Sequence, residues 1–242
     1  MNDIKVIYED DDLLVLNKPA GVTVNRSDTT RYQITVQDFT EKRISFPKNS
    51  DPNSDFVKRA GIVHRLDKET SGILLVAKNE AAFKDLQRQF KEREVKKTYW
   101  ALAHGKIVPD DGVITATVGR LPWNRKRFGV LAGGRESVTR YHVISNFKYQ
   151  ISNRAEDLTL VELYPETGRT HQIRVHLKYI NRPIFADFLY AGRKVSRDDR
   201  KFIERVFLHA AKISLKHPST KKTIEFESSL PPELKALLEK FK

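Results

Sequence analysis

Short runs of β-forming residues, separated by turn-forming ones, recur along almost the whole chain. Lys5–Tyr8 and Leu13–Asn17 flank the acidic turn Asp10–Asp12, an arrangement that predicts a hairpin. Ile73–Ala77 is an unbroken apolar run whose length suits a buried strand. The remaining strands are predicted at Thr98–Ala103, Val113–Val118, Val138–Ile144, Leu158–Leu163, Phe207–Leu215 and Thr223–Phe226.

Helical patterns are fewer than strand patterns. Asn79 is a suitable N-cap for a helix that presents Phe83 and Leu86 on its apolar face. Helices are also predicted from Val36 to Ile44, over Thr170–Ile180 and over Pro231–Phe241. Many short strands with few helices predict an α+β fold, with a largely antiparallel mixed sheet flanked by helices. No repeat or linker divides the sequence, so we expect a single domain over residues 1–242.

The bulk composition limits the classes of partner. Lys and Arg total 44 against 31 Asp and Glu, a net charge of +13. This excess favours a polyanion such as nucleic acid, and well-solvated lysines account for it about as well. No apolar run approaches the roughly 20 residues that cross a bilayer, and the N-terminus has no signal pattern. We therefore expect a cytoplasmic protein without membrane contact. The absence of cysteine excludes disulfides, thiolate metal sites and cysteine nucleophiles.

Two polar segments could carry chemistry. His64–Gly72 places an acid, Asp67, between cations directly before a strand, and Gly168–His176 opens a predicted helix. A solvated turn and a solvated helix surface are the plain alternatives, because clustered ionisable groups are often structural. His171 and His176 are five residues apart, about 140° around a helix, whereas the helical zinc motif needs a spacing of four. Neither a phosphate-binding Gly-x-x-x-x-Gly-Lys loop nor a Gly-x-Ser-x-Gly elbow is present.

The run GIVHRLDKETSGILLVAKN at Gly61–Asn79 resembles the signature of the RluA-type family of RNA pseudouridine synthases. Four further segments resemble that family in the same order, and five ordered matches are far more specific than one. They are Asn17–Gly21, Lys96–Gly105, Glu162–Asp187 and Phe207–Pro218.

The resemblance implies the pseudouridine synthase fold with a central catalytic cleft. Several relatives carry a small N-terminal S4 RNA-binding domain, and this chain departs from that pattern, so we expect the catalytic domain alone. The expected reaction converts uridines in single-stranded loops of tRNA or rRNA to pseudouridine, without metal or cofactor. A monomer is the default expectation.

The resemblance also assigns roles to three residues. The family's catalytic aspartate falls on Asp67, which could attack the base, attack the ribose or act as a base on the sugar. Arg174 matches the arginine that pairs with this carboxylate, and a surface or phosphate contact is its alternative. Tyr99 matches a tyrosine whose ring would stack on the flipped uracil. A core tyrosine on a strand is the alternative for Tyr99.

Substrate contacts are expected from residues near these three. Arg65 and Lys68 flank Asp67 and are expected to contact phosphates, and Arg169 is expected to contact substrate as well. Ile173 and Val175 are expected to wall the pocket, although core packing accounts for both equally. The basic run Trp123–Phe128 is expected to form a loop that either grips RNA or is simply solvated. Ala186 stands where relatives often have a glycine, and we expect this change to lie outside the catalytic centre.

Two other functions remain open from the sequence. An RNA-binding module with this fold but no activity would not require Asp67, Tyr99 and Arg174 together. A glycoside- or base-cleaving enzyme would use a second carboxylate, for which Glu69 or Glu166 can be nominated.

Overall fold

The computed structural model describes residues 4–27, 30, 33–46, 51–151 and 154–241. This part of the chain forms ten strands and six helices. The strands are β1 Lys5–Glu9, β2 Leu13–Lys18, β3 Ser71–Ala77, β4 Lys96–His104, β5 Asp111–Leu121, β6 Asn124–Val130, β7 Arg135–Ile151, β8 Arg154–Pro165, β9 Leu208–Lys216 and β10 Thr223–Glu227. The helices are α1 Val36–Arg43, α2 Asp55–Lys58, α3 Glu80–Lys91, α4 Gln172–Tyr179, α5 Arg193–Asp199 and α6 Pro232–Lys240.

The chain divides into two compact units. The first comprises Met1–Lys96 and Lys212–Ser228, and the second comprises Lys97–Ala211 and Ser229–Lys242. The boundaries after Lys96 and before Lys212 fall inside β4 and β9, so each of these two strands contributes residues to both units.

In the first unit β2 lies between β1 and β3, and both pairings are antiparallel. Every residue of β3 is buried, as its unbroken apolar sequence predicts. Helix α3 follows β3, and the Asn79 side chain accepts a hydrogen bond from the backbone of Ala82 at 2.8 Å. The predicted hairpin, buried strand and helix cap are therefore all confirmed.

In the second unit β4, β8, β7, β5 and β6 are neighbours in that order, and each pairing is antiparallel. Helix α4 packs against β5, β6, β7 and β8. Its apolar side joins a cluster in which Leu102, Val161 and Leu237 are buried. Each such side chain stabilises the fold by roughly 1.5–3 kcal/mol when fully buried. The expected α+β fold with a mostly antiparallel sheet is confirmed.

The prediction of a loop at Trp123–Phe128 is wrong. Asn124–Val130 forms strand β6, which pairs with β5 through Val118 and Val130, while Trp123 lies at the turn of this hairpin and is 79% exposed. The basic composition hid the strand because backbone pairing with a neighbouring strand overrides local propensity. The short helices α2 and α5 were not predicted either.

Among the residues that the structure describes, no helix combines the length and apolar character needed to span a membrane.

Gly61 lies ahead of the Asp67 segment, at a point where the backbone comes very close to the end of β3. Its carbonyl accepts a hydrogen bond from the backbone of Ala77 at 2.8 Å, and its φ is +74°. A Cβ at this position would lie 2.1 Å from the Ala77 oxygen. Only glycine fits both the left-handed conformation and this contact.

We expect Gly61→Ala to lower the free energy of unfolding much more than Gly133→Ala. Gly133 has almost the same φ, +76°, but its Cβ would meet nothing within 4 Å. The control should therefore cost only the left-handed strain of about 1–2 kcal/mol. Overpacking adds a further cost of roughly 1–3 kcal/mol at Gly61. Urea unfolding measures both variants, and equal losses would contradict the contact.

Candidate active site

The Asp67 segment is a turn directly before β3. The backbone of Thr70 donates a hydrogen bond to the Asp67 carbonyl at 3.1 Å, which closes a four-residue turn. The Asp67 side chain is half-buried, whereas Arg65 and Lys68 on either side are exposed. The Lys68 ammonium donates to the Gln33 side chain at 3.2 Å. A carboxylate is thus held on a short turn between two solvent-facing cations.

Lys18 anchors this turn from β2. Its side chain is fully buried, and its ammonium donates to the carbonyls of Pro19, Val22 and Lys68 at 2.8, 2.8 and 3.1 Å. The backbone of Gly21 donates to the same Lys68 carbonyl at 2.8 Å. Three donors of one ammonium group therefore meet three backbone acceptors. The residue after Asp67 is fixed to the Lys18–Val22 segment by two hydrogen bonds.

His64 attaches the same segment to β3. Its Nε2 accepts a hydrogen bond from the backbone of Leu75 at 2.9 Å, so the ring carries no proton on this nitrogen. The ring also packs against Phe90 of α3, with centroids 4.9 Å apart. These contacts give His64 a structural role on the approach to Asp67.

Gln172 organises the second polar segment. Its side-chain oxygen accepts hydrogen bonds from the Thr167 hydroxyl at 2.7 Å and the Arg169 backbone at 3.0 Å. Its amide nitrogen donates to the Val138 carbonyl and the Thr139 hydroxyl, both at 3.0 Å. The buried amide is thereby satisfied and fixes the start of α4 to β7. Helix α4 begins here, two residues later than predicted, because His171 adopts a left-handed conformation with φ +56°.

Arg174 makes a buried ion pair in the second unit. The residue is 7% exposed, and its Nε and Nη2 donate to the two oxygens of Asp187 at 2.7 and 2.8 Å. The guanidinium also lies over the ring of Tyr190, 5.1 Å from its centroid. The Tyr190 oxygen accepts from the Phe128 backbone at 3.1 Å and lies 2.8 Å from His171 Nδ1. One edge and one face of the guanidinium are therefore fixed.

A second network shapes the turn that carries Asp187. Ala186 has φ +60°, and its backbone N–H donates to Asp199 at 2.9 Å. The same Asp199 oxygen lies 2.9 Å from His104 Nε2, while His104 Nδ1 lies 3.2 Å from Glu156. The left-handed conformation at Ala186 explains why glycine suits this position.

Tyr99 is half-buried on β4, pairs with Leu163 of β8 and packs against the core cluster of the second unit. Lys97 is two residues away on the same strand and therefore on the same face. Burial lowers the pKa of Lys97 to about 8. The structure thus adds a partly desolvated amine to the surroundings of Tyr99.

The two histidines of the second polar segment, His171 and His176, contact different residues. His176 is buried, and its Nε2 lies 2.8 Å from the Ser137 hydroxyl, which itself donates to the Ala116 carbonyl. Burial lowers the pKa of His176 to about 4, so the ring is neutral at physiological pH. Within the described ranges, no group of three or more His, Cys, Asp or Glu side chains could hold a metal ion.

Comparison with known proteins decides the family. A family model described as RNA pseudouridylate synthase matches residues 12–179. An uncharacterized RNA pseudouridine synthase of Bacillus subtilis is 39% identical over 98% of this chain and 72% of its own length. The chain belongs to the RNA pseudouridine synthase family. The resemblance drawn from the five sequence segments is thereby confirmed.

Other members of the family extend this result. Ribosomal large subunit pseudouridine synthase D of Neisseria meningitidis is 38% identical over 97% of this chain, which spans 60% of that protein. A solved structure, human RNA pseudouridylate synthase domain containing 1, superimposes with a TM-score of 0.73 at 30% identity. That match covers 97% of this chain and 87% of the human one.

Within this synthase fold, the sequence-predicted residues fall in two places. The first unit holds Asp67, Arg65 and Lys68 on one anchored turn. The second unit holds Arg169, Ile173, Arg174 and Val175 at the start of α4, with Tyr99 on β4. Ile173 and Val175 are buried in core clusters, as the packing alternative predicts, and their place in a pocket wall stays a prediction. The pairing of Asp67 with Arg174 joins residues of different units and also stays a prediction.

Sequence reasoning missed Lys18, Gln172 and Asp187, although all three lie in or next to the segments that resemble the family. The expectation that the change to Ala186 lies outside the centre stays a prediction, although its neighbour Asp187 directly contacts Arg174. A buried carboxylate 13 residues from an arginine has no periodic signature, so its partner appears only in the fold.

We expect Lys18→Met to destabilise the first unit by at least about 2 kcal/mol, because buried carbonyl acceptors lose their donor. The Gly21 amide should also exchange hydrogen faster. Urea unfolding and hydrogen exchange measure these effects. Lys5→Met, at an exposed position of β1, is the control and should stay within about 0.5 kcal/mol of the parent. A Lys18 variant that behaves like this control would contradict the anchoring role.

Asp187→Asn should lower the free energy of unfolding by about 3–5 kcal/mol, since it removes one partner of a buried ion pair. Asp198→Asn is a matched control, because Asp198 pairs with Lys201 in a more exposed position. Its loss should stay below about 1 kcal/mol. Similar losses for both variants, measured by urea unfolding, would show that the Arg174 contact contributes little.

Proposed function

We propose that this protein isomerises uridine to pseudouridine in RNA, with Asp67 as the catalytic carboxylate. The observation that carries the proposal is the anchored turn. In a chain of this family, the carboxylate of the His-Arg-Leu-Asp segment is half-buried and its turn is fixed by the fully buried Lys18. Such positioning is what a group that acts on a substrate bond requires.

The reaction is balanced without any co-reactant. The bond from ribose C1′ to uracil N1 breaks, the base turns, and a bond forms from C1′ to uracil C5. The proton lost from C5 is matched by one gained at N1, so the product is an isomer of the substrate. Asp67 would take part through its ionised carboxylate, by attack on the base, by attack on the ribose or by removing a proton from the sugar.

In this proposal Arg174 keeps Asp67 ionised and orients it. Its Nε and one Nη2 hydrogen are engaged by Asp187. A guanidinium has five N–H donors, so a contact with Asp67 would use those on Nη1 and the second on Nη2. The attraction between a guanidinium and a carboxylate would hold the two groups in contact with a defined geometry.

The remaining expected residues would bind the nucleotide. Arg65, Lys68 and Arg169 would contact phosphates, and Tyr99 would stack on the extruded uracil. Ile173 and Val175 would line the pocket behind the base. A base in a single-stranded loop costs less to extrude than one in a duplex, which favours loop uridines.

The RNA class is part of the proposal. Several relatives bear the name ribosomal large subunit pseudouridine synthase, among them those of Neisseria meningitidis and Vibrio cholerae. We therefore propose large-subunit rRNA as the first substrate to test and tRNA as the second. Mapping pseudouridine in total RNA with and without the gene would identify the position.

We expect Asp67→Asn to abolish carbodiimide-detectable pseudouridine in the target RNA, while the fold and RNA binding persist. Glu69→Gln is the matched control, since it removes a carboxylate from the same turn and should retain activity within about threefold of the parent. Loss of the carboxylate that takes part in covalent chemistry is expected to lower the rate by many orders of magnitude. Full activity of the Asp67 variant would remove this residue from its role.

The same experiment separates the alternatives. RNA binding by the parent protein without any isomerised uridine in rRNA or tRNA would favour the binding module. Free uracil or an abasic RNA, lost in Glu69→Gln, would favour the cleaving enzyme. The other nominated acid, Glu166, is engaged by Arg140, whose Nε donates to its carboxylate at 2.6 Å.

A further inference from the structure

Helix α5 presents a compact group of cations to solvent. Arg193, Lys194 and Arg197 are all exposed. At 100° per residue they fall within an arc of about 100° around the helix axis. The buried residues Ser196 and Asp199 lie on the opposite side. The helix therefore has one side packed in the second unit and one side that presents Arg193, Lys194 and Arg197 to solvent.

The acids of α5 balance these cations only in part, since Asp198 attracts Lys194 and Arg197 as well as its ion-pair partner Lys201. Asp198 pairs with Lys201 at 2.8 Å, and Asp199 is buried against His104. Across the described contacts of the chain, Arg193, Lys194 and Arg197 take part in no ion pair. Three cations so close together, with one carboxylate that already pairs with Lys201, keep an excess of positive charge that favours an anionic partner.

Hydrogen bonds connect the C-terminal end of α5 to the turn that carries Asp187, the partner of Arg174. Asp199, at the end of the helix, accepts from the Ala186 backbone at 2.9 Å, and the Arg200 side chain donates to the Ala186 carbonyl at 3.1 Å. Both polar groups of Ala186 are thus held by the C-terminal end of α5. The next residue, Asp187, makes the bidentate contact with Arg174.

Phe188 adds an aromatic surface beside these contacts. Its side chain is 60% exposed, and the guanidinium of Arg200 lies 5.8 Å from its ring centroid. Exposed aromatic rings next to cations are typical of surfaces that bind single-stranded nucleic acid, because bases stack on the ring while cations contact phosphates.

We infer that α5 and Phe188 form a binding surface for the RNA strand next to the target uridine. Arg193, Lys194 and Arg197 contact its phosphates, and Phe188 stacks on an unpaired base. The inference rests on the proposed function, since it takes RNA as the substrate and Arg174 as part of the site. It adds to that function a surface outside the segments that carry the expected site residues.

The test compares two triple variants that lose the same charge. The first is Arg193→Gln, Lys194→Gln and Arg197→Gln. The control is Lys222→Gln, Lys235→Gln and Lys240→Gln, at exposed positions elsewhere in the chain. Fluorescence anisotropy measures binding to a labelled RNA hairpin with a uridine-rich loop over a range of salt concentrations. Thermal unfolding confirms that both variants are folded.

We expect the α5 variant to raise the Kd at least about tenfold near 0.1 M salt, and the control less than about threefold. Each lost phosphate contact lowers the slope of log K against log salt by about 0.7 for a single strand, or about 2 for three contacts. An α5 variant that matches the control in Kd and in slope would overturn the phosphate contacts.

Phe188→Ala tests the aromatic contact separately. Loss of one stacked base should weaken binding by about fivefold or more with little change in the salt slope. An unchanged Kd would overturn the stacking.

These measurements are independent of turnover. Weaker binding by the α5 variant, together with no pseudouridine from the parent protein, would support the surface and refute the proposed activity. Pseudouridine formation by the parent protein, together with unaltered binding by the α5 variant, would support the proposed activity and refute the binding surface.

Discussion

The second unit depends on the buried pair between Arg174 and Asp187. An arginine that is 7% exposed has lost most of its hydration, and a bidentate carboxylate is the partner that best replaces it. That carboxylate is in turn placed by the left-handed turn at Ala186, which Asp199 and His104 hold. The geometry of one guanidinium thus rests on residues from β4, α4, α5 and the turn before α5.

In the first unit, too, a buried cation fixes the chain near a carboxylate, but here the cation is a lysine. That carboxylate, Asp67, sits on a turn whose neighbouring carbonyl is fixed by an ammonium, that of Lys18. A fully buried lysine is unusual. Here its ammonium group donates to three backbone carbonyls instead of facing solvent. In the first unit a buried cation orders the chain next to Asp67, and in the second the buried cation is Arg174, itself a residue that the family resemblance marks as functional.

Much of the fold could be predicted from the sequence, because buried strands such as β3 consist of apolar, β-forming runs and the turns between strands consist of turn-forming residues. Strand β6 could not, since its sequence is basic rather than apolar and its pairing comes from β5. Of the candidate site, the polar segments that hold Asp67 and Arg174 stand out in the sequence, but the roles of these residues and of Tyr99 come only from resemblance to a family. Asp187 and Gln172 could not be predicted, because the fold, and not the residue type, determines which groups a side chain hydrogen-bonds.

Gln172 has a consequence for the chemical ageing of the protein. Its amide donates to a carbonyl and a hydroxyl on one side and accepts from a hydroxyl and an N–H on the other. Deamidation would leave the shape of the side chain almost unchanged but would turn its nitrogen into an oxygen that faces the Val138 carbonyl. Two acceptors would then oppose each other without water, and the junction between β7 and α4 would open. A change of a single atom type would therefore release the segment that carries Arg174.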